Sequence, residues 1–344
     1  MRRMLVLFLL LAVGCAPPAS GPVTLTVMTH DSFSVSEGVV RTFESANNAS
    51  LAFLKSGDAG AALNKAILSR SAPLADVFYG VDNTFLARAL EADIFETYHS
   101  PALAGIPAAF KLDPSDRALP VDYGDVCINY DRAYFNSRNL AVPQDLQDLL
   151  RPEYRGLLVV ENPASSSPGL AFLLLTIKRF GDPGYLEYWR ALRQNGVVVV
   201  DGWETAYYTN FSGSSGRGLQ PLVVSYATSP AAEMIFAQPP LEEAPTASIT
   251  GPDTCFRQIE FAGILKGSGH QILARRLIDF LLGVAFQADV PLQMFVHPVL
   301  PGVPLPEAFT QYAPEPARPA SLQPDQIARS RDKWIRAWTD VVIH

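Results

Sequence analysis

Six times along this chain a short apolar run gives way to a polar turn and then to helical periodicity: after Thr29, Leu54, Gly80, Val160, Val200 and Tyr226. Strands that alternate with helices cannot be closed by two-residue hairpins, so they form a parallel sheet covered by helices. In such sheets the carboxyl ends of the strands face one ligand crevice. The fullest example is Gly156 to Lys178, GLLVVENPASSSPGLAFLLLTIK. Leu157 to Val160 is an apolar run, Asn162-Pro163 ends it, and Pro168 fits the first turn of the helix that follows. Ser166 and Ser167 then sit at a helix N-terminus, where free amides and the helix dipole favour an anion. Helix capping alone is the other use of serines there.

In order, the sequence predicts strand Val23–Thr29, helix Glu37–Ala46, strand Leu51–Leu54, helix Ala61–Ser69, strand Asp76–Gly80 and helix Thr84–Ala92. Ala118–Val121 and Gly124–Tyr130 read as an extended pair around Asp122-Tyr123 that passes from one lobe to a second. The second lobe is expected to hold helix Gln144–Leu150, the strand and helix described above, helix Gly184–Arg193, strand Val197–Val200, a helix from Trp203, and strand Leu222–Tyr226 with a helix after it. Cys255–Ile264 reads as the return crossing, Gln271–Leu282 as an amphipathic helix, 301–325 as an irregular proline-rich strap and Ile327–Val342 as a closing helix with Trp334 and Trp338 on one packing face. The expected division is 1–21 leader and linker, 22–122 lobe 1, 123–255 lobe 2, 256–300 the return of lobe 1 and 301–344 a C-terminal strap and helix. The fold class is α/β, two lobes joined by two extended crossovers, the geometry of hinge closure around a small molecule.

Arg2 and Arg3 precede an apolar run, Met4 to Val13, too short to span a bilayer. Ala12-Val13-Gly14-Cys15 has the small-residue-then-Cys form of a bacterial lipobox, so Cys15 is the expected lipidation site and the protein is expected at the outer face of the cell membrane or in the periplasm. Cleavage as an ordinary signal peptide is the alternative. Loss of the two arginines takes the formal charge from −7 to −9. An acidic chain without Lys/Arg clusters argues against nucleic acid as partner. Cys127 and Cys255 remain, in a compartment that permits disulfides. Both lie on the crossovers, where a bond between them would staple the hinge; two buried free thiols are the rival.

Catalytic patterns are weak. Gly213-Ser214-Ser215-Gly216 lacks the spacing of a nucleophile elbow, the five histidines form no metal-protease pattern, and the phosphate-loop motif is missing. An exported hydrolase is the alternative of another class. Tyr207 and Tyr208 suggest ferric iron, but neighbours on an α-helix diverge by about 100°, so packing is the expected role.

The segments Thr29-His30-Asp31-Ser32-Phe33, Ala75-Asp76-Val77, Gly80-Val81-Asp82-Asn83, Asp122-Tyr123-Gly124, Ser166-Ser167-Pro168-Gly169-Leu170, Gly202-Trp203 with Ala206-Tyr207, and Ser225-Tyr226 with Ser229-Pro230 resemble, in order and spacing, the thiamine-binding component of bacterial ABC importers. The likeness runs from about Val23 to the last helix. It implies a type II periplasmic binding-protein fold, no enzymatic activity, no cofactor or metal, and a monomer that captures thiamine or a thiamine phosphate. The bound ligand would pass to a membrane permease with its ATPase subunit.

Carried over by motif, Asp58 with Ala59 and Ser166 with Ser167 take the phosphate or hydroxyl side, Trp203 stacks or caps, and Tyr226, Ala227, Thr228 and Ser229 line the second lobe's side. His30, Asp31, Glu37, Asp82, Asp122 and Phe295 form a second set. Asp31, Asp82 and Asp122 are candidates for the cationic ring, and Glu37 stands where the family often has a tryptophan. His30 takes the place of the family's first-loop aromatic, Phe295 that of a tryptophan and Ala232 that of a tyrosine. A ferric-iron or anion receptor of the same architecture is the transport alternative, although its tyrosine pair would here be Tyr226-Ala227.

Overall fold

The computed structural model describes residues 21–344 except 216 and 317, so the leader and Cys15 lie outside the described residues. The first lobe opens as expected: β1 (Val23–Thr29), α1 (Glu37–Asn47), β2 (Ala49–Lys55), α2 (Ala59–Leu68), β3 (Val77–Asp82) and α3 (Leu86–Glu91). β1 pairs in parallel with both β2 and β3. β3 is buried along its whole length, as a central strand covered on both faces must be. Ser36 caps α1 by accepting from the Val39 amide, and Asn48 ends it in the left-handed conformation at φ 47°.

The expected extended pair is one strand, β4 (Leu119–Asp131). Its first half pairs antiparallel with β9 (Phe256–Ile264), from Leu119↔Ala262 to Val126↔Phe256, and its second half with β7 (Leu222–Tyr226). β9 continues onto β3, from Asp82↔Glu260 to Val77↔Ile264. β4 and β9 are thus the two crossings, and the strand order with β5 (Leu158–Glu161) and β6 (Val198–Val200) is β2-β1-β3-β9-β4-β7-β5-β6. The disulfide Cys127–Cys255, with a Cα separation of 4.3 Å, lies one residue past the last β4–β9 pair.

The second lobe adds α4 (Arg132–Ser137), α5 (Ser167–Phe180), α6 (Gly184–Gln194), α7 (Ser212–Ser215), α8 (Ser229–Phe236) and β8 (Thr246–Ile249), which pairs with the end of β4 and was not anticipated. The helix expected at 144–150 is instead two 3-10 turns, Asp148–Leu150 and Pro152–Tyr154. Pro152 forces Arg151 to extended geometry, ψ 146°, and splits the segment. The helix expected from Trp203 is π-helical over Thr205–Asn210. α5 is buried from Ser167 through Ile177, which an apolar helix between layers requires.

After β9 come α9 (Gln271–Leu281), α10 (Val284–Gln287), α11 (Val290–Gln293) and β10 (His297–Pro298). The proline-rich strap holds one helix, α12 (Glu307–Tyr312), started by Pro306, before α13 (Pro324–Val342). α13 belongs to neither lobe alone. Trp338 meets Trp189 of α6 edge-on at 5.5 Å, and the Arg331 guanidinium lies 4.7 Å over Phe85, just ahead of α3.

Candidate functional site

A cavity of about 390 Å³ opens between the lobes, where the turns after β1, β2, β6 and β7 converge on the two crossing strands. A volume of this order suits a small organic ligand. His30, Asp31 and Phe33 enter from the turn after β1, Asp58 and Ala59 from the start of α2, and Asp122, Gly124, Gln258 and Glu260 from β4 and β9. Ser167, Trp203, Tyr207, Tyr208, Tyr226 and Ser229 come from the second lobe, and Met294 and Phe295 from the return segment. Two glycines permit this convergence. A Cβ on Gly80, at φ +106°, would lie 2.4 Å from the His30 ring, and one on Gly124 would lie 2.9 Å from the ring of Tyr226.

The lining is acidic. Six carboxylates, Asp31, Asp58, Asp122, Glu204, Glu233 and Glu260, face it against one lysine, Lys55, and no arginine among the described residues. Asp122 and Glu260 stand directly opposite each other on β4 and β9, a like-charge juxtaposition that is costly unless one side is neutral. Burial, then the Glu260 charge, hold the Asp122 carboxyl well above the usual range, and it accepts a hydrogen bond from Tyr79 Oη. Of the two, Asp122 is the carboxyl pushed toward its protonated form. His30 Nε2 lies 3.6 Å from Glu260 Oε1, too long for a hydrogen bond but close enough to pair. Burial opposes charging His30, yet Glu260, Asp58 and Asp31 outweigh it and raise its pKa.

The opposite wall is aromatic and fixed in place. Trp203 stacks on Tyr207, with centroids 5.1 Å apart and planes 17° off parallel, and meets Tyr208 edge-on at 5.5 Å. Its indole N–H donates to Ser225 Oγ at 2.9 Å, which in turn bonds Ser229 Oγ. The Tyr226 hydroxyl is held by Gln258 at 3.1 Å. Carboxylates around ring faces of this kind suit a flat organic cation.

Residues 72–329 match the family model described as bacterial extracellular solute-binding protein. The chain belongs to this family. Among curated relatives of this solute-binding protein, the thiamine-binding periplasmic protein of Salmonella typhimurium is 30% identical, covering 98% of this chain and 99% of its own length. The protein of the same name from Escherichia coli is 30% identical over 95% and 96% of the two chains. A solved periplasmic thiamin binding protein superposes with a TM-score of 0.82 at 28% identity, over 96% of this chain and 99% of that one. The apo ferric ion-binding protein A of Pasteurella haemolytica, TM-score 0.72 at 17% identity over 92% and 97%, shares the fold. The type II periplasmic binding-protein fold, two α/β lobes on two crossing strands, is thus common to all of them.

Within the solute-binding protein, Asp58, Ala59, Ser167, Trp203, Tyr226 and Ser229 line the cavity, as do His30, Asp31, Asp122 and Phe295. Five of the expected residues do not. Ser166 is fully buried behind the α5 N-terminus. Ala227 packs on the disulfide, and Thr228 is buried at the start of α8. Asp82 lies beneath the surface, accepting from the Thr84 amide and from Ser167 Oγ. Glu37 points to solvent in the first turn of α1 and pairs with Arg41 at 2.9 Å.

Tyr207 and Tyr208 both line the cavity; Tyr207 also has the expected packing role, buried against Val159, Phe211 and Val223, whereas Tyr208 is exposed. The π-helix widens the turn and brings adjacent rings within 5.4 Å edge-on, a deformation no α-helical projection anticipates. Glu233, one turn beyond Ser229 on α8, was also missed. Glu260 had a visible signal, a lone carboxylate inside the apolar run Ile259–Ile264.

Proposed function

We propose that this protein captures thiamine outside the cytoplasm and delivers it to the permease of an ABC importer driven by an ATPase subunit. The mature monomer is held at the membrane by lipid on Cys15. It works by capture and release, without turnover and without a cofactor. The observation that carries the reading is the pairing of an acid-rich cavity lining, with one lysine among its described residues, with the Trp203–Tyr207 stack. Thiamine is a permanent cation on flat rings, and such a site offers it charge and π-faces together. The names of the full-length relatives support the same ligand.

Thermal unfolding with thiamine, thiamine phosphate, ferric citrate and buffer tests it. At a hundredfold excess over Kd a true ligand stabilises by about 2.7 kcal/mol, a rise of several degrees in Tm. A flat response to thiamine, or a larger one to ferric citrate, overturns the reading.

A further inference from the structure

We propose that the end of the first lobe opposite the cavity is a membrane-contact face, which rests on anionic lipid headgroups while Cys15 tethers the chain. The inference rests on the lipidation reading above and goes beyond it, from an anchor to an orientation.

The turn after β1 enters the cavity, so the amino end of β1, about 20 Å away along its seven residues, lies at the far end of the lobe. The last turns of α1 and α2 and the first turn of α9 arrive there too. Buried Asp76, just ahead of β3, joins them: its carboxylate accepts from the Thr26 amide at 2.9 Å and from Ser268 Oγ at 2.7 Å, and lies 3.1 Å from Nδ1 of His270, the residue before α9. Arg276 of α9 donates to Oδ1 of Asn47, the last residue of α1, at 3.4 Å. Apolar side chains project from this end. Leu68, the last residue of α2, is 85% exposed and Ile272 of α9 is 72% exposed, with Leu74 and Val23 also exposed. Cations accompany them: Lys65 lies one turn before Leu68, Arg276 one turn after Ile272, and Arg70 two residues beyond Leu68. None of these three makes an ion pair among the described residues. Of the acids nearby, Asp93 pairs with Lys266 at 2.6 Å and Glu44 accepts from the Leu51 amide, while Glu91 and Glu96 stand free, so cations are in excess here although the whole chain carries −7.

Exposed apolar tips set among cations suit a bilayer surface, where the tips enter the headgroup layer and the cations meet phosphate. The tether selects this partner. Val23 opens β1 at the same end and lies eight positions after Cys15, so a lipid on Cys15 keeps it within about 29 Å of the bilayer. Basic contacts would then add a second hold to the lipid. Contact at this end leaves the cavity, at the other end of β1, open to solvent.

Amide hydrogen exchange tests this on the protein carrying its native N-terminus, in nonionic detergent, in phosphatidylcholine vesicles and in vesicles of phosphatidylcholine with phosphatidylglycerol, after mass spectrometry of Cys15. The first amides of α9 have no intrahelical acceptor and exchange fast unless covered. Phosphatidylglycerol vesicles are expected to slow exchange over 68–74 and 270–273 by about tenfold or more relative to detergent. Leu68→Glu combined with Ile272→Glu should abolish the slowing and leave thiamine affinity unchanged. Lipid-bearing protein that shows no slowing, equal slowing on phosphatidylcholine alone, or equal slowing in the folded double variant overturns this inference alone; if the double variant does not fold, the two vesicle compositions decide. Slowing that appears in detergent as protein concentration rises assigns the face to a second copy and overturns it too. Absence of lipid on Cys15 overturns the anchor reading and this inference with it.

Discussion

Asp122 and Glu260 face each other across β4 and β9, yet they have different roles, and substitution separates them. Burial and the Glu260 charge push the Asp122 carboxyl toward its protonated form, so Asp122→Asn puts a neutral isostere where a neutral acid is favoured and should change thiamine affinity only slightly. Glu260→Gln removes the charge that holds His30 and attracts a cation, and should weaken thiamine by about tenfold or more. Equal losses in the two variants, measured by calorimetric titration, would mean that the proton is not on Asp122. Trp203→Ala removes the stacked ring of the aromatic wall, and a loss of about 2 kcal/mol, roughly thirtyfold in Kd, is expected. Ser167→Ala behaves differently. Its hydroxyl satisfies buried Asp82, so the variant should lose about 1–3 kcal/mol of stability in urea unfolding while its ligand preference is unchanged.

The element under most constraint is the pair of crossing strands with its disulfide. The bond closes a loop of 128 residues, and a loop of that length is worth about 4–5 kcal/mol in the chain-entropy model. Replacing both Cys127 and Cys255 by Ala should lower the urea-unfolding free energy by that order. What was legible in the sequence follows from period and punctuation. β1 and β7 were read to the residue, because alternation or an apolar run ended at a sharp turn. Asp31 and Asp58 were legible for the same reason, since they sit in the turns after β1 and β2. Residues whose placement depends on tertiary geometry were not. Thr228 and Ala227 follow β7 directly but turn into the core, Tyr207 and Tyr208 depend on a π-helical turn, and β8 is too short and too mixed to announce itself. Pro152 is visible in the sequence, and its clash with the residue before it, not the helical periodicity of 144–150, decides that segment.

The whole molecule carries several carboxyls that burial drives toward the protonated form. Asp82 is pushed up to about 7, and Asp58, Asp122 and Glu161 are also raised, each chiefly by burial. A carboxyl raised in the folded state binds more protons there than in the unfolded chain, so its contribution to stability falls as pH rises through the interval between the two pKa values. Urea midpoints should therefore be higher near pH 5 than near pH 8. Both carboxyl oxygens of Glu161 are buried without a partner, and Glu161→Gln should raise the midpoint at pH 8 more than at pH 5. A midpoint that climbs steadily toward pH 8 would contradict this account. At this scale the position of the disulfide also has a mechanical consequence. The β4–β9 ladder ends at Val126↔Phe256, and the sulfur bridge follows at once, so the two ribbons cannot peel apart from the second-lobe end. A covalent bridge at the end of a hydrogen-bonded ladder acts as a rivet: it fixes the register of the two ribbons against sliding while leaving the strands free to twist together.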